Sequence, residues 1–144
     1  MDKLKATITE ICPSPYGYAI FLNTELKTFV IYVDGSRGCA VQSAFEKYSS
    51  ERPLTHEFVA NMLDGLECMV KEVVIYHSDN GTFFTKMKLE MDNELGKKIV
   101  EIDGRPSDTF SIALRVGAPI YVDAKVLGKL PDMTGALKKL RGDL

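Results

Sequence analysis

Tryptophan is absent from the 144 residues, and cysteine occurs three times, as Cys12, Cys39 and Cys68. An odd number of thiols without metal-type spacing excludes a disulfide framework and a zinc knuckle as organising devices. No apolar run approaches the roughly 18 residues that a membrane-spanning helix requires. No charged-then-apolar leader opens the chain, so a cytoplasmic protein that stays off membranes is expected. Neither sign of charge dominates: 18 Lys and Arg stand against 20 Asp and Glu, a net of −2. Sequence-independent nucleic-acid binding comes mainly from neutralising phosphates. Any such binding here needs a local group of cations and is expected to be weak and salt-sensitive. The nearest cationic cluster, Lys138, Lys139 and Arg141, reads as a solvated helix end. The chain has no Walker loop, no dinucleotide fingerprint, no His-Glu-x-x-His and no Gly-x-Ser-x-Gly.

What is present is an ordinary globular composition, 45% hydrophobic and 26% charged. The spacing predicts a domain over residues 1–130 and a loosely held helical tail over 131–144. Residues 3–12 alternate, with Leu4, Ala6 and Ile8 on one face, and read as a strand. Residues 18–23 and 28–33 read as two more. After Asp34-Gly35 the period changes to that of a short helix containing Cys39, Val41, Ala44 and Phe45, with Cys39 a buried inert thiol. A second helix opens at Thr55, whose hydroxyl suits the N-cap, with Leu54 and Val59 as a hydrophobic staple. Phe58, Val59, Met62, Leu63 and Leu66 form its expected buried stripe. Strands over 69–77 and 82–91 flank Asp79-Asn80-Gly81, a hairpin signal, and a third covers 97–103. Ser107 is the expected cap of a helix ending near Val116, with Gly117 as C-cap. A strand to Val122 and a short helix capped by Asp123 follow.

Three strands and a helix therefore occur twice. Laying 29–35 on 98–104 aligns Asp34 with Asp103, Gly35 with Gly104 and Ala44 with Ala113 without a gap. The expected class is α+β, an antiparallel or mixed sheet with helices packed on it.

Two polar segments carry the candidate chemistry: Arg52-Pro53-Leu54-Thr55-His56-Glu57 and Asp103-Gly104-Arg105-Pro106-Ser107-Asp108. Both open helices, whose free N–H groups favour anions. Arg52 and Arg105 suit bidentate phosphate binding, with Thr55 and Ser107 as hydroxyl donors. His56 suits proton transfer near neutral pH. Glu57, Asp103 and Asp108 are oxygen donors of the kind that hold Mg²⁺ or Mn²⁺. The competing reading is structural: an Arg52–Asp108 or Arg105–Glu57 pair ties the helix entrances together. Glu101 and Asp103 share a strand face with Ile99, and that face reads as solvated. Most strand aromatics (Tyr18, Phe21, Phe29, Tyr32, Phe83, Phe84) are expected in the core; those exposed together would stack on bases.

These two segments, with Gly117-Ala118-Pro119-Ile120-Tyr121-Val122, resemble the bifunctional nuclease domain family. Its patterns read Arg-Pro-x-Thr-His-Asp/Glu, Asp-Ala/Ser-Arg-Pro-Ser-Asp and Gly-Ala-Pro-Ile-Phe/Tyr-Val. The resemblance spans about residues 3–128. It implies hydrolysis of DNA and RNA with a divalent metal: His56, Asp108 and Glu57 as catalytic residues, Arg52, Arg105, Ser107 and Thr55 on the substrate, and Asp103 and Asp108 on Mg²⁺ or Mn²⁺. The implied partner is single- or double-stranded nucleic acid, and self-association through exposed sheet edges is expected. One departure stands out. Where many relatives carry an acidic residue after the first Asp-Gly corner, this chain has Gly38-Cys39. A non-catalytic binding domain, with the cluster as structural lock or small-anion pocket, is the alternative.

Overall fold

The computed structural model describes residues 2–142. Strands β1 (Lys3–Ser14), β2 (Gly17–Asn23) and β3 (Thr28–Val33) form an antiparallel meander, followed by helix α1 (Gly35–Phe45). After α2 (Thr55–Gly65), a second meander runs through β4 (Cys68–Asp79), β5 (Thr82–Asn93) and β6 (Gly96–Gly104) into α3 (Pro106–Val116). Strand β7 (Ile120–Asp123) and helices α4 (Ala124–Gly128) and α5 (Thr134–Leu140) complete the described chain. The sheet order is β3-β2-β1-β7-β4-β5-β6. Strand β7 joins the two meanders, antiparallel to β1 and parallel to β4, which makes the sheet mixed. The α+β class and the repeated three-strand-plus-helix plan are both realised. No helix among the described residues is long and apolar enough to cross a membrane.

Alternation along the strands builds the core. Ala6, Ile8, Ile20, Leu22, Ile31, Val73, Ile75 and Met87 face one side and meet Val41 of α1 and Phe110, Ile112 and Ala113 of α3. Phe110 and Phe29 are among the largest fully buried side chains; burying one phenylalanine contributes about 1.5–3 kcal/mol. The tail is held more firmly than its composition suggested. Leu137 of α5 packs on Ala19 and Phe21, on the other face of β2, and the Met133 amide donates to the Thr28 carbonyl at 2.7 Å. Residues 143 and 144 of the expected tail lie outside the described residues.

Several local expectations are corrected. The N-cap of α2 is Leu54, and Thr55 is the first helical residue. The reason is Glu57, whose Oε1 accepts from the Leu54 amide at 3.1 Å and so satisfies the entrance without a hydroxyl cap. This one-residue shift also removes Leu54 from the staple position. Of the expected buried stripe, Val59 and Leu63 pack against the core, while Phe58, Met62 and Leu66 are exposed. Helix α2 contacts α3 and β4 along one narrow edge, too little to cover a full apolar face. Helix α3 is capped by the extended backbone of Arg105 with Pro106 next, not by Ser107. The expected left-handed Gly117 cap is present, at φ 77°. Cys39 is exposed, and Gly38 is the buried residue beside it.

Gly38 has a steric cause. A Cβ there would lie 2.2 Å from Cδ2 and 2.6 Å from Cβ of Tyr18. The Tyr18 ring, lying across α1, fills the space that a side chain at 38 would need. Its hydroxyl lies 3.3 Å from Cys39 Sγ, a contact that, ahead of partial burial, raises the phenol above its ordinary range.

Candidate functional site

The two polar segments meet. His56 Nε2 lies 2.8 Å from Asp108 Oδ1, joining the first turn of α2 to the first turn of α3. The imidazole side chain is 19% exposed and the carboxylate 56%, so the pair sits at a solvent boundary. Crossing of α2 over α3 produces this approach. Farther along α3, the mostly buried Arg115 donates to the Tyr48 carbonyl at 3.1 Å and lies 4.0 Å from Glu57 Oε2.

Neither ion pair anticipated from sequence forms. Asp108 takes His56 instead of Arg52, and Glu57 takes Arg115 instead of Arg105. Glu57 is committed to the helix entrance: it receives the Leu54 amide, the Ser49 hydroxyl at 3.4 Å and the Arg115 charge. The guanidinium groups of Arg52 and Arg105 make no hydrogen bond or ion pair among the described residues, and both residues are exposed. Thr55 is exposed on the first turn of α2.

Asp103 points elsewhere. Register pairs Thr85 with Gly104 and Lys86 with Asp103. Thr85 faces α3, where its hydroxyl bonds Thr109, so Asp103 lies on the opposite face of the sheet. There it accepts the Tyr76 hydroxyl at 2.6 Å, a bond that, with some desolvation, pushes the Tyr76 phenol up. Asp103 and Asp108 are thus on opposite faces of the fold. Among the described residues no group of three His, Cys, Asp or Glu side chains is placed to hold a metal. The anticipated Asp103–Asp108 donor pair does not fit one ion.

Arg105 and Ser107 belong to a neighbouring cavity of about 330 Å³, shared with Tyr32, Asp34, Arg37 and Phe83. Asp34 caps α1 by accepting the Arg37 amide at 3.0 Å, and it also pairs with the Arg37 guanidinium. The amide bond is foremost in holding the Asp34 carboxyl below the usual carboxylate range, with the Ser36 hydroxyl and the guanidinium adding to it. Ser107 is 2% exposed, and its Oγ has no hydrogen-bond partner among the described residues. Sequence reasoning missed Arg37 and Arg115, while Tyr32, named among the strand aromatics that would stack if exposed, is 67% exposed. The spacing Asp34-x-x-Arg37 was an available signal, because an N-cap carboxylate readily meets a side chain three residues on. Arg115 carried none beyond a cation in the last turn of α3.

A duplicated meander-and-helix fold, with an imidazole–carboxylate pair and unpaired arginines at its helix entrances, defines the class of α+β domain. The Bifunctional nuclease domain family matches residues 20–131, and the chain belongs to that family. Similar curated proteins include two from Mycobacterium tuberculosis: Uncharacterized protein MT1877 of strain CDC 1551 / Oshkosh and Uncharacterized protein Rv1829 of strain ATCC 25618 / H37Rv. Each is 32% identical over 99 residues, covering 69% of this chain and 56% of the relative. The chain therefore spans about half the length of the curated relatives it matches.

Proposed function

We propose that this protein hydrolyses phosphodiester bonds of DNA and RNA, acting in the cytoplasm, where Cys12, Cys39 and Cys68 remain free thiols. The observation that carries the reading is the 2.8 Å His56–Asp108 contact at a solvent boundary. Asp108 fixes the orientation of the imidazole through Nε2. His56 Nδ1 makes no hydrogen bond among the described residues and remains to take a proton from water. The water oxygen then attacks phosphorus, the P–O bond to the leaving oxygen breaks, and the imidazolium returns its proton to that oxygen. Arg105, with Arg52 on the facing segment, neutralises the phosphate. Of the three expected metal donors, Asp103 is turned to Tyr76 and Glu57 is engaged by Leu54, Ser49 and Arg115, which leaves Asp108 at this place. Proton transfer and phosphate binding therefore carry the reading, and Mg²⁺ or Mn²⁺ enters as a variable of the assay.

The test is cleavage of single-stranded DNA and RNA by highly purified protein, with Mg²⁺, with Mn²⁺ and with chelator, beside His56→Ala and Arg105→Ala. Activity lost in both variants supports the reading; activity that survives both belongs to a contaminant. The alternative, a non-catalytic binding domain, is favoured by one observation: Glu57 is saturated by Leu54, Ser49 and Arg115, as a structural lock requires. Absence of cleavage under every metal condition selects it.

Self-association is proposed at β6. The Thr28 end of β3 is occupied by Asp132 and Met133, whereas β6 ends the sheet with Ile99 and Ile102 exposed.

A further inference from the structure

The cavity of about 330 Å³ at the Arg105 corner has features that hydrolysis at His56 does not use. It lies where the first strand-to-helix corner, Val33 to Arg37, meets the β4–β5 hairpin tip and the entrance of α3. Its volume is at the lower end of the roughly 300–1,000 Å³ of small-ligand sites. Two guanidinium groups line it. Arg37 is held in place by Asp34, and Arg105 is unpaired. The Asp34 carboxylate is already engaged by the α1 amide and by Arg37, so the cavity retains a net positive charge.

A second observation is independent of the charges. Ser107 lines the cavity, is almost completely buried, and has an unpartnered Oγ. A buried hydroxyl without a partner is destabilising, and a guest oxygen supplies the missing bond. With Pro106 lacking an N–H, the first amide of α3 is also that of Ser107. Oxygen acceptors with negative charge suit this set, and a phosphate supplies both. The aromatic residues then narrow the class. Tyr32 is 67% exposed at the β3 rim of the cavity, on the strand face that it shares with Ala19, and the partly buried Phe83 also lines the cavity. An exposed ring beside a phosphate site is a stacking platform, and stacking requires a base with a free face.

We propose that this cavity is a nucleotide subsite: Arg37, Arg105 and Ser107 hold one phosphate, and Tyr32 stacks the attached base, so that single strands bind in preference to duplexes. The proposal deepens the phosphodiesterase reading, and binding is measured here without cleavage. The experiment is titration calorimetry of the full chain at low salt against a 5′-phosphorylated single-stranded tetranucleotide, its duplex, adenosine and inorganic phosphate, repeated with Arg37→Gln and Tyr32→Ala. Thermal melts establish that the variants fold.

The phosphorylated single strand should bind at least 10-fold more tightly than the duplex, and adenosine should not bind. Arg37→Gln should weaken both the tetranucleotide and inorganic phosphate. Tyr32→Ala should weaken the tetranucleotide by about 10-fold, the effect of losing roughly 1.4 kcal/mol of stacking, and leave inorganic phosphate unchanged. Equal binding of duplex and single strand, or affinity indifferent to both substitutions, overturns the proposal. Inorganic phosphate binding as tightly as the tetranucleotide reduces the site to a bare anion pocket and overturns the nucleotide assignment. The two readings fail separately. A protein that binds single strands through Arg37 and Tyr32 but never cleaves them sinks hydrolysis alone. Cleavage with unchanged KM in both variants sinks the subsite alone.

Discussion

His56 and Asp108 enter from two segments 52 residues apart and meet at 2.8 Å, each from the first turn of its own helix. Helix crossing supplies the approach, and solvent exposure of the carboxylate keeps the pair accessible. Such an exposed contact contributes little to stability, about 0.2–1 kcal/mol.

His56→Ala should therefore separate activity from stability. Cleavage should fall about 10²–10⁴-fold, the usual contribution of a positioned acid–base group. The melting temperature should barely move. Asp108→Asn should lower kcat more than it raises KM, because the residue positions the imidazole. A melting temperature that collapses with His56→Ala would assign the pair to scaffolding.

Much of the fold was legible in the sequence, because hydrophobic alternation sets strands directly. Residues 28–33 are a strand with the expected bounds, and Gly117 and Asp123 cap as expected. The partners of the site residues were not legible. Arg115 reaches Glu57 through helix crossing, which one-dimensional spacing does not encode, whereas the Asp34–Arg37 pair had a signal in its i,i+3 spacing. Asp103 could be placed on a strand, but only the register with Lys86 and Tyr76 shows that it faces away from α3. The exposed Phe58, Met62 and Leu66 make the same point: helical period identifies an apolar face, and the width of the neighbouring contact decides how much of it is buried.

Gly38 tests the departure from the family pattern. Because the close contacts include Cβ of Tyr18, ring rotation alone does not relieve them. Gly38→Ala should destabilise by about 1–3 kcal/mol in urea titration, the cost of overpacking. Gly38→Glu, which restores an acidic residue in this stretch, should be at least as costly and should not raise activity. Combined with Tyr18→Ala, the Gly38→Ala penalty should shrink, giving a non-additive cycle.

Arg115→Met should destabilise more than a surface substitution. The buried guanidinium holds the Tyr48 carbonyl and faces Glu57, and its loss leaves both less well satisfied. A cost of about 1–3 kcal/mol is expected in chemical denaturation. Hydrogen exchange should rise at the entrance of α2 before it rises in β4.

Asp132 gives a pH dependence. Its carboxylate accepts the Thr134 hydroxyl and amide and the Thr28 amide, and these bonds, with the Thr134 hydroxyl foremost, lower its pKa. A depressed folded-state value means that the stabilisation is complete above the unfolded carboxylate value of about 3.9 and is lost as pH falls through the lower folded value. Melting temperatures of wild type and Asp132→Asn should therefore differ by a constant amount at neutral pH and converge below about pH 4. Divergence on acidification would have the wrong sign.

The self-association proposed at the free edge of β6 has a definite geometry. Antiparallel pairing of two copies about a two-fold axis at Val100 keeps each sheet face continuous and sets Lys97 opposite Asp103 of the second copy. Opposite charges then meet on one face, and Ile102 lies opposite Lys98 on the other. An open strand of this length with exposed isoleucines is otherwise an aggregation hazard, and pairing removes it. Light scattering after size exclusion should give a dimer for the wild type and a monomer for Ile102→Lys, with unchanged melting of the monomeric fold. Lys97→Asp should weaken the dimer by placing like charges across the axis, and adding Asp103→Lys should restore it by re-pairing them. A wild-type chain that stays monomeric at high protein concentration would leave β6 as a solvated edge protected by its own Lys97 and Lys98.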